Sequence, residues 1–279
     1  MKIGIIGLGL MGGSMALALR NKGLATQLVG TDNNALHAAQ ALERGLVDQV
    51  VPLEDLMALV DVVVLATPVD VALPLAQTLL DQTQGHILLD MGSTKANLVS
   101  AIQNHPKRGR WVATHPMWGT ENSGPLAAVQ GAFQGKACVI CDRENTAPDA
   151  LTWVENLYQN LGMHLMYMKA DEHDMHVAYI SHISHITSFA LANTVLGKER
   201  EEEAIFELAS GGFESTVRLA KSDPNMWVPI FLQNKENLLD VLNEHISQLR
   251  KFKACLEKEN KEYLQELIQH ANGIRRILG

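Results

Sequence analysis

The sequence predicts an α/β chain in two parts: a doubly wound, mostly parallel sheet over residues 1–169 and an all-helical domain over 170–279. Three observations carry this prediction. An apolar run and a glycine-spaced turn open the chain, and short apolar runs alternate with helical patterns as far as Met168. Beyond Ala170 the strand pattern stops.

Met1 to Ile6 reads as a buried first strand, too short for the apolar region of a signal peptide. The turn Gly7-Leu8-Gly9-Leu10-Met11-Gly12 follows, and Ser14 to Lys22 carries a helical pattern through Met15, Leu17, Ala18 and Leu19. After the apolar run Gln27 to Thr31, Asp32 stands about 20 residues beyond Gly12, where the second strand of a βαβ unit ends. In this order Gly7 permits a tight turn, Gly9 lets the backbone approach a pyrophosphate, and Gly12 allows close helix packing. Free N–H groups at the helix start then meet the negative charge. These residues predict a Rossmann-type dinucleotide site built from Gly7 to Gly12 and from Thr31, Asp32 and Asn33. Asp32 in that place accepts hydrogen bonds from the ribose hydroxyls of NAD and repels a 2′-phosphate, and no arginine follows it. Thr31, Asn33 and Asn34 can donate to a phosphate, and they are ordinary turn residues too.

Further strands are expected at Val60 to Ala66, His86 to Asp90, Trp111 to Thr114, Lys136 to Cys141 and Met163 to Met168. Chemistry in an open α/β sheet belongs at the carboxyl ends of its strands, and three of these ends are polar. Ala66-Thr67-Pro68 suits contact with the nicotinamide half of a dinucleotide, and Thr67 serves equally as a helix cap. Asp90-Met91-Gly92-Ser93-Thr94-Lys95 places a hydroxyl pair and a lysine after a buried strand. His115 closes the next strand. A histidine there, beside a nicotinamide, can take the proton of a substrate hydroxyl while hydride leaves the same carbon. The bland reading is an incidental loop histidine.

From residue 170 onward the charge-rich stretches Lys198 to Glu203 and Arg250 to Glu262 sit between apolar helical positions. Ser222-Asp223-Pro224 marks a helix start, and a single helix from there to about Leu256 would be roughly 50 Å long at 1.5 Å per residue. So long a helix outruns a small domain, so a homodimer through the C-terminal helices is expected. In the histidine-rich run, His173 and His182 lie about 180° apart on one straight helix, as do His176 and His185. They cannot gather on one metal, and no metal site is expected. His173 and His176 then read as an exposed helix start, with Asp171 and Asp174 suiting the dipole. Cys138-Val139-Ile140-Cys141 is a formal CxxC in a strand, where its two side chains would point to opposite faces.

The 279 residues are 47% hydrophobic and 19% charged, ample for a core, and the net charge of -8 argues against a nucleic-acid or anionic-membrane surface. No apolar run reaches the roughly 18 residues of a bilayer span. Three cysteines suit a reducing compartment, and the expected location is cytoplasmic.

Taken with the glycine turn, Asp90 to Lys95, His115-Pro116-Met117-Trp118-Gly119-Thr120-Glu121, Ser181 to His185 and Arg218 to Pro224, the chain resembles the prephenate/arogenate dehydrogenases, most closely the cyanobacterial arogenate type. The resemblance implies NADP-dependent oxidative decarboxylation of arogenate to tyrosine, with prephenate and NAD as the alternative. It implies that His115 helps remove the ring hydroxyl proton and that Ser93 orients the imidazole or the substrate and adjoins the coenzyme. Arg218 would hold a substrate carboxylate through two parallel hydrogen bonds. Glu121 resembles a gating acid able to pair with Arg218; Thr120 beside it, His182 and His185 would line the substrate site. Glu214, four residues before Arg218, could meet the arogenate ammonium or be a solvated helix charge. If NADP binds, Asp32 should turn away. A catalytically silent coenzyme-sensing module would need the glycine turn and have no use for His115.

Overall fold

A computed structural model describes residues 1–199 and 210–278, so most of the charged stretch from Lys198 to Glu203 lies outside the described residues. The chain runs β1 (Lys2–Ile6), α1 (Leu10–Asn21), β2 (Gln27–Thr31), α2 (Ala35–Glu43), β3 (Gln49–Val50), α3 (Leu53–Leu56), β4 (Val62–Leu65), α4 (Val69–Gln82) and β5 (Ile87–Asp90). Then come α5 (Ala96–Ile102), β6 (Trp111–Pro116), β7 (Ala137–Cys141), α6 (Pro148–Asn160), β8 (His164–Met168) and α7 (Ala170–Val177). A π-helical turn over Ala178–His182 leads into α8 (Ile183–Glu199), and α9 (Gly211–Val217), α10 (Pro224–Gln233), α11 (Lys235–Glu257) and α12 (Lys261–Ala271) follow.

The eight strands form one sheet in the order β3-β2-β1-β4-β5-β6-β7-β8. All neighbours are parallel except β6 and β7. The predicted doubly wound, mostly parallel sheet is therefore present, with its strand order reversing beside β1. Strand side chains alternate between two cores. Ile3, Ile5, Val62, Val64 and Leu89 pack with Met15 and Leu19 of α1 and Tyr158 of α6. Ile6, Val63, Leu65, Leu88 and Trp111 pack with Leu79 and Leu80 of α4 and Leu98 of α5. Cys138 belongs to the first core and Cys141 to the second, so the CxxC cysteines do face apart. Burial pushes the Cys141 thiol up to about 12 and Cys138 higher still, which leaves both as small apolar side chains.

Helix α1 begins at Leu10, directly after Gly9 and within the glycine-spaced segment, and not at Ser14. The two-residue strand β3 was too short to read from periodicity. Asp223 caps α10 by accepting the Asn225 N–H at 2.8 Å, yet the single long helix expected from Pro224 to Leu256 is two. The break falls at Asn234, whose side chain is buried and turned to inward acceptors. Two compact units result, Met1–Asn234 and Lys235–Gly279. No described helix is long and apolar enough to cross a membrane.

Candidate active site

The carboxyl ends of β1, β2, β4, β5 and β6 lie along one edge of the sheet, and the predicted residues divide there into three groups. The glycine turn forms the first. Gly7 adopts φ +91°, and a Cβ on it would stand 2.7 Å from the Ala66 carbonyl oxygen, so the turn rests against the end of β4 at the point where strand order reverses. At Gly9 nothing lies within 4 Å of a Cβ position, so its backbone is open to close approach. Gly12 packs against the Gly7 carbonyl. Leu10 and Met11 open α1, and Pro68 stands directly before α4. Thr67 Oγ1 is buried without a hydrogen-bond partner. An open backbone cradle at a helix start together with an orphaned hydroxyl fits a dinucleotide.

Asp32 is directed into the same turn. Its Oδ2 accepts the Leu8 N–H at 2.7 Å, and its Oδ1 accepts the Asn34 N–H at 2.8 Å. The turn from Thr31 to Asn34 offers little in the other direction. Thr31 is buried, and the Asn34 side-chain oxygen caps α2 by accepting the Leu36 and His37 N–H groups at 3.0 and 3.3 Å. Asn33 is exposed.

The second group centres on His115. Its Nδ1 lies 2.8 Å from Nε2 of His173, and Nδ1 of His173 lies 2.7 Å from Oδ1 of Asp174. Asp174 also accepts the backbone N–H of Lys95 on Oδ1 at 2.8 Å and that of Ala96 on Oδ2 at 2.9 Å. Lys95 is fully buried and paired with Asp90, which also accepts Trp111 Nε1–H at 3.2 Å and the Gly92 N–H at 3.0 Å. Burial, followed by His173, Lys95 and His182, pushes His115 well below the ordinary histidine value, so the imidazole is neutral. Among the described residues its Nε2 has no hydrogen-bond partner, and it is not sealed from solvent.

His173 is thus 1% exposed, contrary to the exposed helix start expected for it, whereas His176 is exposed. The helical-wheel arithmetic failed at the π-helical turn of Ala178–His182. One inserted residue rotates His182 back by about 100°, to roughly 80° from His173, so both face inward. His173 of α7 holds the Nδ1 side of the His115 ring, and Ser93, expected to orient the imidazole or the substrate, is half-buried.

The third group comes from the helices. Arg218 Nη1 donates to Glu121 Oε2 at 2.6 Å, while Thr120 Oγ1 accepts the Asn122 N–H at 3.2 Å within its own loop. Glu214 is exposed in the first turn of α9. His185 stacks on Trp227 with ring centroids 3.4 Å apart, and its Nδ1 donates to the Ser181 carbonyl at 3.0 Å. His182, by contrast, is buried. Its Nδ1 accepts from Asn234 Nδ2 at 3.1 Å, and burial first of all lowers it to about 4. His182 and His185 therefore bracket Trp227 without sharing one exposed wall. The indole N–H of Trp227 is buried and unpartnered.

His173, Asp174, Trp227 and Asn234 escaped the sequence reading. One signal could have found the first two: Ala170, His173, Asp174 and Val177 fall at i, i+3, i+4 and i+7, the buried stripe of α7, with two titratable groups inside it. Asn234 carried no comparable signal.

The family description "Prephenate dehydrogenase, nucleotide-binding domain" matches residues 15–167, and "Prephenate dehydrogenase, dimerization domain" matches residues 169–270. The chain is similar to prephenate dehydrogenase of Bacillus subtilis, with 32% identity over 97% of this chain and 74% of that protein. Cyclohexadienyl dehydrogenase of Zymomonas mobilis is 30% identical, over 99% of this chain and 95% of its own. Among solved structures, prephenate dehydrogenase of Aquifex aeolicus in complex with hydroxyphenyl propionate and NAD+ superposes with a TM-score of 0.91 at 30% identity, covering 100% of this chain and 98% of the other. Arogenate dehydrogenase of Synechocystis gives a TM-score of 0.78 at 28% identity, with both chains fully covered. With both parts matched in order and relatives of 30–32% identity covered over 74–95% of their length, the chain belongs to the prephenate dehydrogenase family, oxidoreductases that include prephenate, cyclohexadienyl and arogenate dehydrogenases.

Proposed function

We propose that the protein catalyses oxidative decarboxylation of the cyclohexadienyl acid prephenate to 4-hydroxyphenylpyruvate, with NAD as coenzyme. The observation that carries the reading is His115 at the carboxyl end of β6, neutral, with Nδ1 engaged and Nε2 free. A neutral imidazole so placed accepts the ring hydroxyl proton and later returns it to the phenolate oxygen. Arg218 holds a substrate carboxylate, and Ser93 adjoins the hydroxyl and the coenzyme. Loss of carbon dioxide restores aromaticity and asks little of the protein.

The dinucleotide would be held by Gly7 to Gly12, Asp32 and the Ala66-Thr67-Pro68 turn, and when bound it supplies the hydride acceptor. The expectation of NADP rested on resemblance. Asp32, fastened to the Leu8 N–H at the end of β2, holds a carboxylate that would accept ribose hydroxyls and repel a 2′-phosphate, which supports NAD. The NAD+ complex of the Aquifex relative supports the same choice.

A second reading, arogenate as substrate, is favoured by Glu214, exposed and four residues before Arg218. Glu214→Gln should then lower the ratio of arogenate to prephenate turnover, and an unchanged ratio returns Glu214 to a solvated charge. A homodimer is supported by the dimerization-domain match over 169–270 and by exposed Leu249, Leu256, Ile268 and Ile277. Three free thiols accord with a cytoplasmic location.

The reading is tested with His115→Asn. Coenzyme binding should persist while turnover falls by about 100-fold or more, the range for a lost general base. Turnover unchanged from the wild-type chain would remove His115 from the chemistry, and coenzyme binding without turnover in either chain would favour a coenzyme-sensing module.

A further inference from the structure

We propose that His173 and Asp174 are positioning residues for this reaction: they hold His115 in the tautomer with its proton on Nδ1, so that the Nε2 lone pair is the base. The inference rests on the functional reading above and adds to it two residues that never meet the substrate.

Asp174 receives backbone N–H groups on both carboxylate oxygens, from Lys95 at 2.8 Å and from Ala96 at 2.9 Å, and so faces His173 as an acceptor. Nδ1 of His173, at 2.7 Å, must then carry the proton. Burial keeps His173 neutral, which leaves its Nε2 as an acceptor. His115 Nδ1, at 2.8 Å from that nitrogen, is therefore the donor, and the lone pair falls on Nε2. The peptide N–H groups at the start of α5 thus determine the protonation pattern of a ring on β6 through two intervening side chains.

The same chain acts when the proton moves. The substrate O–H bond breaks, an Nε2–H bond forms, and the electron pair left on oxygen becomes the second bond of the ring carbonyl; a bound nicotinamide would supply the acceptor for the hydride lost from that carbon. Carbon dioxide then leaves, its bonding pair enters the ring, and the phenolate oxygen takes the proton back from Nε2. In between, a buried imidazolium must be tolerated. The groups facing it are Lys95 from the start of α5, His182 from the π-helical turn and His173 from α7, none of them anionic. Asp174 behind His173 supplies the compensating charge; Asp90 is already paired with Lys95. Asp174 is further fixed through its own carbonyl, which accepts Asn234 Nδ2–H at 2.7 Å.

The test uses the full chain labelled with 15N-histidine, the His115 signals being assigned by their loss in His115→Asn. In the wild-type protein near pH 8, Nδ1 should resonate as a protonated nitrogen and Nε2 as an unprotonated one, and in His173→Phe the two should average. Steady-state rates for His173→Phe and Asp174→Asn should show kcat reduced by about 100-fold with KM changed less than about threefold, the signature of an interaction made in the transition state. A wild-type His115 protonated on Nε2, or variants that keep kcat within about twofold, would overturn the inference. Should either variant fail to fold, the wild-type tautomer alone decides. Absence of turnover by the wild-type chain would refute the functional reading, while the Nε2–H tautomer in an active wild-type chain would refute this inference alone.

Discussion

Arg218 and Glu121, 97 residues apart in the chain, are joined by a hydrogen bond of 2.6 Å between Nη1 and Oε2, with the arginine side chain 50% and the glutamate 22% exposed. A substrate carboxylate that takes the guanidinium must displace this acid. An exposed pair of this kind is worth about 1 kcal/mol at most, so the competition is mild. Glu121→Gln should lower the KM for prephenate by up to about fivefold with little change in kcat. Arg218→Lys should instead raise KM by roughly 10- to 100-fold, since an ammonium cannot make the two parallel bonds of a guanidinium. Steady-state kinetics of the two variants check both directions.

Asp32 offers a separable test of coenzyme choice. Its carboxylate joins the Leu8 N–H of the glycine turn to the Asn34 N–H at the start of α2. Asp32→Ser removes the negative charge and keeps a small acceptor there. The ratio of NADP to NAD affinity, measured by fluorescence titration, should rise by about tenfold or more, comparable to the loss of one charged hydrogen bond. An unchanged ratio would place coenzyme discrimination elsewhere.

Buried histidines make stability depend on pH. Burial lowers His115, His173 and His182, the last to about 4, below the ordinary histidine value of 6.5. Between those values the unfolded chain binds more protons than the folded one, so stability rises with pH across the window and falls as pH drops from about 6.5 toward 4. The denaturation midpoint should therefore be lower at about pH 5 than at about pH 7.5, and the substitution His182→Asn should reduce that difference.

Lys95 and Asp90 form a fully buried ion pair whose cation acts on His115. Lys95→Met leaves the carboxylate without its cation and should destabilise the fold by about 3–5 kcal/mol. The double variant Lys95→Met/Asp90→Asn should recover part of that loss in thermal melts. A single variant as stable as the wild-type chain would mean that solvent or another donor reaches Asp90.

The sheet and the glycine turn were legible because their signals are local. Gly7, Gly9 and Gly12 carry their geometry in their own spacing, and the runs ending at Ala66, Asp90 and His115 stop at the same edge of the sheet. The histidines of the helical half were not legible to the same degree. Placing His173 and His182 on one straight helix ignored the π-helical turn between them, a one-residue insertion with no residue signature. Its rotation brings both rings inward, and the hydrogen bond between His115 and His173 spans 58 residues. The division of α10 from α11 had the same origin. Asn234 breaks the helix because its amide serves Asp174 and His182, partners that only the folded chain brings to it.

The most direct test of the account is the initial rate of reduced nicotinamide formation with prephenate and with arogenate, each crossed with NAD and NADP. The account predicts the fastest rate with prephenate and NAD. No reduced coenzyme in any of the four mixtures would contradict it.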